Sequence, residues 1–159
     1  GFGYSLFDAE GTPTTNRAMI DGGRLATLAH NSATAAHFGV TTTGHAARGP
    51  RSTLGVGLHQ FEIAAGPDAD VLAGEYVEIT DLTGLHSGAN PIAGDFSFGA
   101  SGYRCRDGER QQPIRGITVA GNFYEMLNQI AAIGTEQFWN WQRSAHMPHV
   151  RFADVAVSG

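Results

Sequence analysis

Residues 94–108, with the sequence GDFSFGASGYRCRDG, constrain the fold more than any other stretch because they combine strand alternation with a turn signal. Phe96, Phe98 and Ala100 would lie on one face of a strand, and the residues between them are small or polar. The Asp-Gly dipeptide at 107–108 is a strong hairpin signal, and a return strand reaching GITVAG follows it. The stretch therefore predicts the first arm of an antiparallel hairpin.

Glycines interrupt this predicted strand at positions 99 and 102. Glycine weakens an ordinary strand, so these positions predict bulges or the close approach of another backbone. Pro113 in the return arm predicts an edge position or a bulge. Gly94, Gly99 and Gly102 beside Asp95 also suggest that the strand pairs, through main-chain hydrogen bonds, with an extended peptide or a partner subunit.

Helices are expected at three places. Residues 122–133 begin with Asn122 as a capping residue, carry apolar side chains at helical spacing, and end before Gly134. Shorter helices of one or two turns are expected at 31–39 and 67–74, where capping residues precede the segment and glycine follows it.

Composition favours strands over surface helices. Glycine accounts for 22 of 159 residues and charged residues for only 16%, which is typical of strands joined by tight turns. We predict an α+β fold, predominantly antiparallel β in a sandwich or barrel-like sheet, with one main helix near 122–133 and one or two short helices. The length fits a single domain over 1–159, and the start at Gly1 suggests a fragment of a longer protein.

Charge and cysteine content narrow the possible partners and compartment. The formal charge is -5 and the basic residues are scattered, so a direct nucleic-acid partner is not expected. The single Cys105 excludes an internal disulfide, and we find no run in this sequence that resembles a signal peptide or a membrane-spanning apolar segment. These features predict a cytoplasmic protein without a membrane partner.

Few side chains in the sequence form a catalytic or metal-binding motif. Seven histidines raise the question of a metal, but no His-Glu-x-x-His or Cys-x-x-Cys motif is present. His146 and His149, in an expected turn before a closing strand at about 150–157, could approach one ion, although solvated loop histidines are favoured. Cys105 could be a nucleophile activated by the flanking arginines, although a half-buried structural thiol is favoured.

Aromatic residues cluster towards the end of the chain. Trp139 and Trp141 would share one face of a strand. With Phe138 and Phe152 they could form a platform for a sugar or a base, although packing onto a helix or a partner is favoured.

Three long runs of sequence carry a family resemblance. They are FDAEGTPTTNRAMIDGGRL, NSATAAHFGVTTTGHA and GDFSFGASGYRCRDGERQQPIRGITVAGNFYEML. In type and order these runs resemble the C-terminal domain of the TldD/TldE (PmbA) family, whose members have been described as modulators of DNA gyrase. The resemblance extends from about Tyr4 to Gly159.

The resemblance implies a subunit without a metal site of its own. In this family one member of a TldD–TldE pair is a zinc metallopeptidase subunit, with a His-Glu-x-x-x-His helix in its N-terminal domain and a metal-binding Cys near its C-terminus. The other member, TldE or PmbA, lacks that site. The runs GDFSFGASGY and GITVAGN resemble the second kind, and residues 136–149 contain no Cys. The resemblance thus implies no catalytic residue, no metal ligand and no cofactor in this chain.

The same resemblance implies the partners. It points to a TldD-like metallopeptidase subunit that carries zinc, and to peptides or unfolded protein segments as substrates. Peptide maturation and proteolysis would be the role, and any effect on DNA gyrase would be indirect. The residues predicted to face a peptide or the partner are Gly44, His45, His86, Gly94, Asp95, Gly99 and Gly102.

Two other functions remain open from the sequence. The full-length protein could itself be a zinc metallopeptidase whose metal-binding helix lies upstream of Gly1. Alternatively, the chain could be a stand-alone β-rich binding module that uses its aromatic strand at 138–141 for a small ligand.

Overall fold

The computed structural model describes residues 5–159; the first four positions of the predicted 1–159 domain lie outside the described residues. The chain divides into two compact units. Unit 1 comprises Gly1–Ile63 and Phe138–Met147, and unit 2 comprises Ala64–Gln137 and Pro148–Gly159. That the whole chain forms one domain stays a prediction.

Strands dominate the described residues. In chain order the elements are β1 (Ile20–Asp21), β2 (Arg24–Leu25), α1 (Ser32–Phe38), β3 (Ala46–Ala47), β4 (Gly55–Val56), β5 (Phe61–Glu62), β6 (Glu75–Thr83), β7 (Asp95–Arg106), β8 (Glu109–Asn122), α2 (Phe123–Leu127), β9 (Ile130–Trp139), β10 (Ala145–Phe152) and β11 (Ala156–Ser158). Among residues 5–159 they form one four-stranded sheet, one three-stranded sheet and two short two-stranded sheets. Most described pairings are antiparallel, while β10 with β5 and the isolated bridge between Asp68 and Gly134 are parallel, so the predicted α+β class rich in antiparallel strands is confirmed.

The four-stranded sheet contains the predicted hairpin. Its strand order is β11-β8-β7-β6, and β7 pairs with β8 from Asp95↔Asn122 to Arg106↔Glu109. Asp107 and Gly108 form the turn with φ of 51° and 83°. Two successive positive φ values are what a two-residue hairpin turn of the right twist requires. The hairpin prediction is confirmed.

The apolar face of this hairpin forms the core of unit 2. Ala100 pairs with Ile117, and Phe98 pairs with Val119. Ala100, Ile117 and Val119 are buried, with Ile79, Phe96, Ile114 and Val155 packed against them. The rings of Phe96 and Phe98 stack with centroids 5.4 Å apart. The predicted alternation therefore places the apolar side chains on the buried face.

The bulges predicted from glycine and proline are present. The β7–β8 register shifts between Ala100 and Gly102, and the β6–β7 register shifts between Ile79 and Asp81, opposite the same part of β7. Gly102 lies so close to β6 that a Cβ there would be 1.8 Å from the carbonyl oxygen of Glu78. Pro113 pairs with β7 on one side, while β11 pairs only with residues 118–120, so Pro113 occupies an edge position.

The predicted helix at 122–133 is wrong in length. Asn122 caps it as expected, accepting hydrogen bonds from the backbone of Tyr124 and Glu125. Helix α2 nevertheless ends at Leu127, and β9 begins at Ile130. Apolar residues at 130–133 fit a strand as well as a helix, and a helix this short gains little from propensity alone, so sheet pairing decides the outcome.

Of the two shorter predicted helices, one is present and the other is not. Helix α1 has the predicted capping, with Asn31 in a capping box and Gly39 in the left-handed region at φ 66°. Residues 67–74 form turns instead of a helix, and Asp68 makes a parallel bridge with Gly134.

The turn predicted at 146–149 is also wrong. These residues lie inside β10, which pairs in parallel with β5 through Ala145↔Phe61 and His146↔Glu62. The chain reverses at 140–144, where the side-chain oxygen of Asn140 accepts hydrogen bonds from Ser144 N and Ala145 N. Asn side chains favour such turns because they replace a backbone acceptor.

Candidate functional site

The seven residues predicted to face a peptide or partner lie in two places. Gly44 and His45 belong to unit 1. The other five belong to unit 2, four of them in or next to β7 and His86 in an exposed turn at 85–87. Their role in binding stays a prediction, but their surroundings show what each does in the fold.

Strand β7 lies inside its sheet. It pairs with β6 on one side and with β8 on the other. Its backbone donors and acceptors therefore serve the sheet, and an incoming peptide cannot pair with β7 in the way the sequence suggested. Gly102 allows the close approach of β6, and Gly99 accommodates the hydroxyl of Thr83, which would be 2.5 Å from an added Cβ.

Gly94 and Asp95 organise the end of the hairpin. Gly94 has φ 86°, and an added Cβ would be 2.5 Å from the ring of Tyr124. Asp95 Oδ1 accepts a hydrogen bond of 3.0 Å from Asn122 Nδ2, and Asn122 in turn caps α2. The Tyr124 hydroxyl donates to Pro91 O at 3.0 Å. These contacts tie α2 to the loop that precedes β7.

In unit 1, His45 belongs to a buried polar cluster, called the His45 cluster below, which is formed by Asp8, Thr43, His45 and His59, and Gly44 adjoins it through its carbonyl oxygen. Asp8, Thr43 and His45 are each 7–8% exposed. Thr43 Oγ1 lies 2.9 Å from His45 Nδ1. The rings of His45 and His59 stack with centroids 5.9 Å apart. Gly44 has φ 71°, and an added Cβ would be 2.7 Å from Pro13 O.

Asp8 is the anion of the His45 cluster. Its Oδ1 accepts from Glu10 N and Thr12 N, and its Oδ2 accepts from Ala46 N, each at 2.9 Å. Burial alone would raise the pKa of Asp8, but the three backbone donors stabilise the carboxylate and hold the pKa below its usual value. The ionised side chain thus joins the turn at 8–12 to strand β3.

His45 is held mainly in its neutral form. Burial lowers the pKa of His45, and the positive potential of His59 and Arg17 lowers it further, against an opposing hydrogen bond with Thr43. His59 Nε2 lies 3.1 Å from Gly44 O. A carbonyl can only accept, so Nε2 carries the proton in this contact.

Sequence reasoning identified only part of this cluster. Asp8, Thr43 and His59 are far apart along the chain, and no spacing rule connects them. A signal existed for Asp8, because an Asp followed by Ala-Glu-Gly-Thr is typical of a turn in which the carboxylate accepts from the next backbone amides.

Comparison with protein families identifies the chain's relatives. A family model described as the PmbA/TldA metallopeptidase C-terminal domain matches residues 1–159. The chain belongs to this family. The resemblance to the TldD/TldE (PmbA) family is thus confirmed.

Individual relatives agree with this assignment. The chain is 33% identical over 140 residues to Metalloprotease PmbA of Escherichia coli O157:H7, covering 86% of this chain and 29% of that protein. It is 31% identical over 135 residues to a Metalloprotease PmbA homolog of Haemophilus influenzae, covering 82% and 28%. The crystal structure of TldE from Thermococcus kodakarensis superposes with a TM-score of 0.85 at 26% identity, covering 98% and 36%. The chain therefore spans about a third of the length of these relatives.

Zinc is the metal that this family implies, and the described residues do not fit it. A protein zinc site uses three or four His, Cys, Asp or Glu ligands. Within residues 5–159 no group of three or more such side chains could hold a metal ion. His45 and His59 come together, but as stacked rings, and His59 Nε2 faces a carbonyl. We therefore derive no zinc chemistry from this PmbA/TldA-type domain.

The second histidine pair is separated by strand geometry. His146 and His149 are three residues apart in β10, so their side chains lie on opposite faces of the strand. His146 stacks on Trp139 with centroids 4.4 Å apart and lies 3.6 Å from Glu62 Oε1. The shared-ion hypothesis for this pair is not supported by this placement.

The predicted aromatic strand ends earlier than expected. Trp139 is the last residue of β9, and Trp141 lies in the following turn with 89% of its surface exposed. The two indoles therefore do not share one face of a strand.

Cys105 is a structural thiol. It is 3% exposed, and its Sγ lies 3.7 Å from Glu78 Oε2. Arg110 contacts both oxygens of Glu78 and lowers the pKa of that carboxyl, so the acceptor is ionised. Arg104 and Arg106 are exposed, and strand alternation places them on the other face of β7.

This burial predicts a slow thiol reaction. We expect a water-soluble thiol reagent to label Cys105 in the folded chain at least about a hundredfold more slowly than in denaturant, because reaction requires β7 to open. Labelling is followed by absorbance with and without denaturant. Equal rates in the two states would show that the thiol is accessible.

No helix among the described residues has the length and apolar character needed to cross a membrane.

Proposed function

We propose that this chain is the C-terminal domain of a PmbA/TldE-like subunit that does not hydrolyse peptides itself and acts with a zinc-bearing, TldD-like metallopeptidase subunit. The observation that carries the proposal is the superposition on TldE across 98% of this chain. The lack of a suitable donor set among residues 5–159 fits the same role.

The domain's part in that assembly is to supply a stable β surface. Substrates are peptides or unfolded protein segments, as in peptide maturation and proteolysis. Within the four-stranded sheet, β7 has a strand on both sides, while β8 is covered by β11 only at residues 118–120. Contact with an extended segment therefore falls to side chains, to the outer strands or to the uncovered part of β8. Gly94, Asp95, Gly99 and Gly102 then act by shaping the sheet, while the exposed His86 is free to reach a partner.

The wider role follows from the same assignment. The assembly works in the cytoplasm, and any influence on DNA gyrase is indirect, through removal or processing of a protein or peptide that acts on gyrase. Direct contact with nucleic acid is not part of the proposal, because the net charge is -5.

Reconstitution tests this function. The full-length protein that carries this chain is purified alone, its TldD-like partner is purified separately, and each is assayed for zinc content and for hydrolysis of an unstructured peptide. We expect zinc well below one equivalent and no hydrolysis from the first protein alone, co-elution of the two proteins, and hydrolysis from the mixture.

The control is a partner variant whose metal-binding histidines are replaced by alanine. It should still co-elute with the full-length protein but should not hydrolyse the peptide. Stoichiometric zinc and hydrolysis by the full-length protein alone would refute the proposal and support a peptidase with its own upstream metal helix.

A further inference from the structure

Residues 57–60 form a loop after β4, called the His59 loop below, that is held to Gly44 and His45. Gly57 N donates to His45 O at 3.0 Å, and His59 Nε2 donates to Gly44 O at 3.1 Å. The imidazole rings of His59 and His45 stack with an interplanar angle of 26°. The attachment of the loop therefore involves two imidazoles, the side-chain groups whose charge ordinarily changes near neutral pH.

The hydroxyl of Thr43 can serve either protonation state of His45. It accepts a hydrogen bond of 2.7 Å from His30 N, so its proton and one lone pair remain. Nδ1 of His45 lies 2.9 Å from this hydroxyl, and His30 O lies 3.1 Å from it. When Nδ1 is unprotonated the hydroxyl can donate to it. When Nδ1 carries a proton it can donate to the hydroxyl, which then donates to His30 O. The hydrogen bond thus survives protonation, and the charge is what changes.

A positive charge on His45 is poorly accommodated while the loop is in place. His45 is 8% exposed, and burial opposes the charged form. Of the charged groups that face it, His59 and Arg17 add positive potential, and the carboxylate of Asp8 offsets part of it. His30 adjoins the ring through the shared hydroxyl. Separation of the His59 loop would admit water to His45 and remove the stacked ring, so it would relieve both costs.

We propose that protonation of His45 releases the His59 loop from residues 44–45, which makes this part of unit 1 a pH-sensitive switch. A proton that binds more readily to one of two conformations shifts the population towards that conformation. The closed loop keeps His45 buried against a second imidazole, and the released loop does not. The inference is independent of the proposed peptidase assembly.

The direction and the upper limit of the effect follow from proton linkage. With the loop closed, the pKa of His45 is lower than its ordinary value of 6.5, mainly because of burial. The stability of the closed form is therefore fully present above about pH 6.5 and is lost as the pH falls through that value towards the lower pKa. Because one proton is involved, the population of the released form can rise by at most about tenfold per pH unit.

Amide hydrogen exchange of the full-length protein that carries this chain tests the switch. Exchange in a peptic fragment that contains Gly57 is measured by mass spectrometry at about pH 7.5 and about pH 5.5, with correction for the intrinsic pH dependence of exchange. We expect the protection of this fragment to fall by about threefold to tenfold at the lower pH, because Gly57 N loses its acceptor His45 O when the loop separates. Fragments from β7 and β8 should keep their protection.

Variants assign the effect to one histidine. His45→Asn removes the titrating ring and keeps a polar atom near the Thr43 hydroxyl, and His45→Gln does the same with a longer side chain. In either variant the protection of the Gly57 fragment should be independent of pH over this range. His37→Asn is the control, because His37 is an exposed histidine of unit 1 outside the His45 cluster. It should show the pH dependence of the parent. Circular dichroism confirms that each variant is folded.

Three results would overturn the proposal. The first is equal protection of the Gly57 fragment in the parent at the two pH values, which needs no variant. The second is an unchanged pH dependence in a folded His45 variant, since another group would then control the loop. The third is an equal fall in protection of the β7 and β8 fragments, because acid would then loosen the chain in general and not the His59 loop.

Discussion

Replacing Gly102 with alanine is expected to destabilise the chain by about 3 kcal/mol or more, at or above the upper end of typical overpacking effects. The added Cβ would lie 1.8 Å from the carbonyl oxygen of Glu78 and 2.9 Å from its carbonyl carbon. A backbone atom cannot rotate away, so β6 and β7 must separate where their register shifts. Urea denaturation followed by circular dichroism measures the change.

Gly99 provides the matched control in the same strand. An alanine there would be 2.5 Å from Thr83 Oγ1, a side-chain atom that can move by rotation about χ1. We expect Gly99→Ala to cost about 1 kcal/mol or less. If the two variants lose equal free energy of unfolding, the close approach of the β6 backbone is not what selects glycine at position 102.

Replacing Asp8 with asparagine is expected to lower the free energy of unfolding by about 2–3 kcal/mol at neutral pH. An asparagine can still accept from Glu10 N and Thr12 N with its oxygen. Its NH₂ group then meets the Ala46 N–H, so two donors face each other where Oδ2 accepted a hydrogen bond. The negative charge that strengthened all three bonds is also lost.

The contribution of Asp8 to the free energy of unfolding depends on pH with a definite sign. The pKa of Asp8 in the folded chain is lower than the model-peptide value of 3.8, so its contribution is present above that value and is lost as pH falls towards the folded-state pKa. The difference in free energy of unfolding between parent and Asp8→Asn should therefore be largest at neutral pH and should shrink below about pH 4. Denaturation at several pH values measures it.

Asp70→Asn serves as the control because Asp70 is exposed and its side chain makes no hydrogen bond in the described structure. It should be nearly neutral at every pH. A difference between parent and Asp8→Asn that grew as the pH fell would mean that the three amide bonds do not stabilise the carboxylate.

Local sequence patterns were sufficient to predict the structure wherever residues close together in the chain determine its conformation. The hairpin of β7 and β8 follows from alternation and an Asp-Gly turn, and both lie within about thirty residues. The capping of α1 follows from neighbours in sequence. In these places backbone preference and side-chain pattern favour the same structure.

The wrong predictions share a different cause. Ile130 and its neighbours fit a helix by spacing, yet they belong to β9, which lies beside β10 in the three-stranded sheet and makes a bridge at Gly134 with the distant Asp68. Pro148 is a turn residue by preference, yet it belongs to β10, which pairs with the distant β5. Sheet pairing supplies hydrogen bonds and burial that local propensity does not count. Spacing also gave no way to place Asp8 beside Ala46, so most of the His45 cluster was not predicted.

The interleaving of the two units has a consequence for synthesis of the chain. Unit 1 ends with Phe138–Met147, after most of unit 2 has been made, and unit 2 ends with Pro148–Gly159. The parallel bridge from Phe61 to Ala145 must wait until the ribosome has passed that point. A nascent chain released before residue 145 would lack closing segments of both units. In a truncated product, therefore, neither of the two units would be complete, and cellular quality control would meet a chain without a finished unit.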